Sequence, residues 1–145
     1  MSATLVVGVG TERGDDAAGL LVVRRLRAAG AGAATAELAG DLTALLELWR
    51  PDDRVALVDA VRTGAAPGTV HILDVTTRPL PASIATASTH AISLGDAVEL
   101  ARVLDRLPAR IVVYGIEGTC WTDGRPPTGA VAAAVDRVVA ELRPG

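Results

Sequence analysis

Three apolar runs of strand length, Thr4 to Val9, Arg54 to Ala60 and Ala109 to Ile116, dominate the sequence and constrain the fold most. Each is continuous and valine-rich, with no alternation of polar residues. That pattern fits strands buried on both faces. Segments of helical period lie between them. Asp16 to Ala29 places Ala17, Leu20, Leu21, Val23 and Leu26 at helical spacing. His90 to Leu104 and Thr128 to Leu142 read as helices by the same rule. Asp41 to Trp49 carries Leu42, Leu45, Leu46 and Trp49 on one side and is stopped by Pro51. Ala34 to Leu38 is a short strand, and Gly68 to Asp74 alternates as an edge strand does. Pro79 to Thr89 is polar and irregular. Strands alternating with helices predict an α/β fold, a mostly parallel five-stranded sheet sandwiched between helices in three layers. No linker or repeat divides residues 1–145, so one domain is expected.

Composition removes many chemistries. The chain has no Lys, Asn, Gln or Phe. Without lysine there is no Walker A loop, no Schiff base and no Ser-Lys dyad. A net charge of −3 and no basic run longer than Arg24-Arg25 argue against nucleic acid. No apolar run reaches the roughly 20 residues that cross a bilayer. The N-terminal MSATLVVGVG has neither a charged n-region nor a cleavage site. Cys120 is the only cysteine, so no intrachain disulfide forms. A soluble cytoplasmic protein is expected.

Ligands of parallel sheets bind outside the carboxyl ends of the strands. Asp15, Asp16, Asp59, Glu117 and His90 all fall there. The glycines of GVGTERG are spaced G-x-G-x-x-x-G, which is not the dinucleotide fingerprint. They serve a nucleotide-binding turn or, more simply, a tight turn with close helix packing. Asp15 reads as a helix cap. A second carboxylate beside it repels the first, so Asp16 calls for a positive partner. Asp59 interrupts an apolar strand, where a carboxylate is either a site or a hydrogen-bonded turn. His71 sits on the edge strand and is expected to face solvent. Ser83, Ser88 and Ser93 lack a nucleophile elbow, and Cys120 has no thiol-protease signature around it. Asp16, Asp59 and His90 form an O, O, N ligand set suited to nickel, zinc, manganese or iron(II).

The segments GVG-TERGDDAAGL, LVDAVRTGAAPGTVHILD, STHAISLGDAVELA and VVYGIEG, in this order, resemble the hydrogenase maturation proteases. These endopeptidases trim the C-terminus of the nickel–iron hydrogenase large subunit. The resemblance implies that Asp16, Asp59 and His90 are the catalytic and metal-contacting residues. It implies that the nickel they recognise is supplied by the large-subunit precursor. A short C-terminal extension is then removed, and the enzyme is expected to be a monomer. The chain departs from the family pattern at Thr11, where Asn is usual, at residues 38–41, and at Ser93. A non-catalytic, chaperone-like binder of the same precursor and a small nucleotide-binding domain are the competing readings.

Overall fold

A computed structural model describes residues 3–39, 41–81, 84 and 94–143 of the chain. Five strands form one sheet in the order β2-β1-β3-β5-β4. They are β1 (Leu5–Val9), β2 (Ala34–Leu38), β3 (Arg54–Val61), β4 (Val70–Asp74) and β5 (Arg110–Glu117). β1 runs parallel to β2 and β3, and β3 parallel to β5. β4 alone is antiparallel and forms one edge. The helices are α1 (Ala18–Ala28), α2 (Leu45–Leu48), α3 (Leu94–Val103) and α4 (Gly129–Leu142). The α/β architecture read from the sequence is the one observed.

The three central strands are buried along nearly their whole length, which is why they carry apolar side chains on both faces. Alternate residues of each strand feed two separate cores. Val6, Ala56, Val58 and Val112 pack with Val22, Leu26 and Val135 of α1 and α4. Val7, Leu57 and Val113 pack with Leu42, Leu45, Trp49 and Val98 on the other face. β2 and β4 are only partly covered, as befits edges.

Two elements differ from the sequence expectation. The helix expected over Asp41 to Trp49 is a 3-10 turn, Leu42–Ala44, followed by the single turn α2. The Asp41 side chain caps it by accepting from the Thr43 amide. Trp49 is already extended (φ −107°, ψ 161°), so the helix ends before Pro51 is reached. The helix expected from Asp16 begins as a 3-10 turn, Gly14–Ala17, and becomes α-helical at Ala18. Of the helix expected over His90 to Leu104, α3 is seen; positions 90–93 lie outside the described residues. Among the described residues, no helix is long and apolar enough to cross a membrane.

Candidate active site

The carboxyl ends of β1, β3 and β5 point to one edge of the sheet, and the polar residues gather there. The 3-10 turn after β1 carries Asp15 and Asp16 and packs on β3. β3 carries Asp59, and β5 ends in Glu117. All four carboxylates are buried: Asp15 is 0%, Asp16 4%, Asp59 1% and Glu117 2% exposed. A buried carboxylate costs several kcal/mol unless something compensates it. What compensates each one separates structure from chemistry.

Asp15 is fully satisfied. Its carboxylate accepts the backbone N–H groups of Thr119 (2.8 Å), Cys120 (2.9 Å) and Thr128 (2.7 Å), and the Thr128 hydroxyl (3.0 Å). Its own amide donates to the Cys120 carbonyl (2.7 Å). Burial pushes this carboxyl up, but the donated hydrogen bonds outweigh burial and hold it below the ordinary value. The expected cap of its own helix is therefore corrected. No side chain caps the 3-10 turn. Asp15 instead ties that turn to the loop between β5 and α4, including Thr128, the residue that opens α4.

Glu117 is satisfied as well. It accepts the Thr63 amide (2.8 Å), the Thr63 hydroxyl and the Gly64 amide (3.3 Å). His71 Nε2 lies 3.3 Å from Glu117 Oε1. Burial raises this carboxyl, and the Thr63, His71 and Gly64 contacts outweigh it, so it too lies below its ordinary value. His71 is thus half-buried and partnered, not solvent-facing as its place on an alternating edge strand implied. Its partner is on β5, 46 residues away, which local periodicity does not reveal.

Asp16 is different. Thr11 donates its hydroxyl to Asp16 Oδ2 at 2.6 Å. Among the described residues no donor reaches Asp16 Oδ1, although that atom is buried. An oriented carboxylate with one bonded and one orphaned oxygen fits a cation ligand. Thr11 stands where the sequence departs from the family pattern, and the structure gives it a role in orienting Asp16. Asp59 sits on the neighbouring strand at the same sheet edge. His90, Ser83, Ser88 and Ser93 lie outside the described residues. Among the described residues, no group of three His, Cys, Asp or Glu side chains is placed to hold a metal. Of the expected trio, Asp16 and Asp59 are both buried at this edge, and His90 lies outside the described residues.

The glycine-rich turn brings backbones into close contact. A Cβ on Gly8 would lie 2.2 Å from the Gly19 carbonyl oxygen, and one on Gly10 2.1 Å from that of Asp16. The glycines serve close backbone packing, which is the simpler of the two readings of that motif. Cys120 contributes its amide and carbonyl to the Asp15 network.

A family model described as hydrogenase maturation protease matches residues 29–144. The match contains Asp59 and His90 and begins after Asp16. Among solved structures, the endopeptidase HycI from Escherichia coli is 26% identical, with a TM-score of 0.71 over 98% of this chain and 89% of that one. The [NiFe] hydrogenase maturation protease HybD from Thermococcus kodakarensis is 24% identical, with a TM-score of 0.70 over 97% and 96%. The hydrogenase maturating endopeptidase HybD from E. coli is 23% identical, with a TM-score of 0.70 over 94% and 87%. No curated protein matches the chain in sequence.

Proposed function

This chain belongs to the hydrogenase maturation protease family, and we propose that it cuts a C-terminal extension from a nickel-loaded hydrogenase large-subunit precursor in the cytoplasm, acting as a monomer. Asp16, Asp59 and His90 meet the nickel that the precursor brings. The observation that carries this reading is Asp16: buried, aimed by Thr11, and keeping Oδ1 without a donor among the described residues. Two carboxylates at one sheet edge and an imidazole give an O, O, N donor set, which suits a borderline divalent ion. A divalent ion held in that way polarises a carbonyl and lowers the pKa of water, chemistry that suits amide hydrolysis without a Ser or Cys nucleophile.

The chain's own residues do the rest. Thr11 fixes which Asp16 oxygen faces the ion. Asp15 holds the turn that presents Asp16 rigid against the loop at residues 118–128. Asp59 is carried by β3, which pairs with β1 on one side and β5 on the other. Because nickel is part of the substrate, contact with it makes cleavage conditional on prior metal insertion.

The test is to incubate the purified protein with nickel-loaded and nickel-free precursor from the same genome and weigh the large subunit. Loss of a C-terminal peptide from the nickel-loaded sample alone is the expected result. Binding without any loss of mass from either sample would make the protein a chaperone-like binder instead.

A further inference from the structure

We propose that the open edge of β4 takes up an extended segment of the precursor beside the scissile bond as an added strand, with every second side chain of that segment lodged in the groove between β4 and α4. This rests on the reading above that the precursor is the partner.

The two edges of the sheet are built differently. At the β2 edge, Glu37 is held by Arg24 (3.0 Å) and Arg27 (3.1 Å), and Arg24 also pairs with Glu12. Charges of this kind discourage another strand from pairing there. At the middle of β4 stands Ile72, 48% exposed. Asp74, tied to Arg110, lies at the end of the strand away from the site. Among the described residues no strand pairs with the outer side of β4.

The antiparallel ladder fixes which backbone groups of β4 are open. The Glu117 amide donates to the Thr69 carbonyl (2.8 Å) and the Val75 amide to the Ile111 carbonyl (3.0 Å). In this register His71 and Leu73 spend their N–H and C=O groups on β5, and Val70, Ile72 and Asp74 turn theirs outward. Outward donors and acceptors spaced two residues apart match the backbone of an extended peptide chain.

The groove sets the side chains of that chain. Val70 and Ile72 line it from β4, and Ala130, Ala133 and Arg137 from α4, around a volume of about 690 Å³. The two alanines leave room that longer side chains would fill. The Arg137 guanidinium donates to the Gly68 carbonyl at 2.6 Å and ties α4 to the chain entering β4. Arg137 and Glu141 put one charge of each sign on the wall, so the groove calls for no charged occupant. Apolar side chains at alternate positions of the added strand suit it. Its location suits the precursor. The chain entering β4 is hydrogen-bonded to Glu117, at the sheet edge that carries Asp16 and Asp59. Pro67 lines both this groove and the cleft beside Glu117, and Arg62 and Trp121 join that cleft to the one holding Asp16. Pairing with β4 would hold the peptide extended and in register as it reaches the carboxylates.

The test combines hydrogen exchange with processing kinetics. In the protein alone the amides of Val70 and Ile72 should exchange freely, and in short exchange pulses nickel-loaded precursor should slow both about tenfold or more. Ile72→Pro removes an outward N–H and leaves the ladder to β5 intact; it should raise KM about tenfold or more with kcat nearly unchanged. Ala133→Trp, at an exposed helix position, fills the groove and should do the same. Replacing precursor residues near the cut one at a time by Asp should raise KM at every second position, and by less in Ala133→Trp. If wild type cuts the precursor while both variants keep its KM, or lose kcat alone, the added strand is overturned and the peptidase reading stands. Protection of the Val70 and Ile72 amides without precursor, in a protein that sediments as a dimer, would give the edge to a second copy and overturn it as well. If wild type binds precursor without cutting it, the peptidase reading fails, and exchange at Val70 and Ile72 still decides for or against the added strand. If it neither binds nor cuts, both fail.

Discussion

Asp15 and Asp16 are neighbours on one 3-10 turn and equally buried, yet they face opposite fates. Asp15 is surrounded by backbone amides and a hydroxyl from a loop more than 100 residues away. Asp16 has one short bond from Thr11 and, among the described residues, one orphaned oxygen. Glu117 repeats the saturated pattern at the end of β5. The lesson is that burial alone does not mark a functional carboxylate. The mark is burial together with incomplete satisfaction, because a structural acid recovers its desolvation cost from donors and a ligand must keep a lone pair for its metal.

That contrast can be broken most severely at the proposed ligands. Asp59→Asn and His90→Ala should each cut the processing rate by about a thousandfold or more, as losses of groups in direct contact with a reacting centre do. Mass spectrometry of precursor after timed incubation reads this directly. A rate near wild type for either variant would remove that residue from the site.

Asp15→Asn attacks the other half of the contrast. It exchanges a carboxylate that accepts charge-assisted bonds for an amide that brings donors to a cluster of donors. The expected loss is about 3 kcal/mol of stability, seen in denaturant unfolding. Processing should fall only as far as the turn carrying Asp16 loosens.

A smaller effect concerns acid. Asp15 and Glu117 have ordinary values of 3.8 and 4.5, and both lie lower in the folded chain. The unfolded chain therefore binds these protons more readily. Their contribution to stability is fully present above pH 4.5 and is lost as the pH falls through their folded values. Unfolding measured from pH 7 down to pH 3 should show this decline, and Asp15→Asn should flatten part of it. The smallest effect belongs to Cys120→Ser, which should leave the processing rate unchanged because only the backbone of Cys120 holds the site together; a lost rate would point to a thiol mechanism.

Much of the fold was legible because the signal is local. Continuous valine runs mark β1, β3 and β5, and helical spacing marks α1, α3 and α4. The break in the Asp41 to Trp49 segment was not legible, since apolar spacing says nothing of where a capped turn gives way to extended chain. At the site, the adjacency of Asp15 and Asp16 suggested two different roles, and the structure gives the two carboxylates different surroundings. The role of Asp15 and the pairing of His71 with Glu117 were hidden because their partners are distant in sequence. Thr11 was visible only as a departure from the family pattern; that it orients Asp16 required the fold.

The most direct test of the central claim is to measure Asp16→Asn twice, by precursor mass and by thermal unfolding. The expected result is no processing with a melting temperature at or slightly above that of wild type, because an incompletely satisfied buried charge is removed. Processing at the wild-type rate, or a loss of stability as large as that of Asp15→Asn, would contradict it.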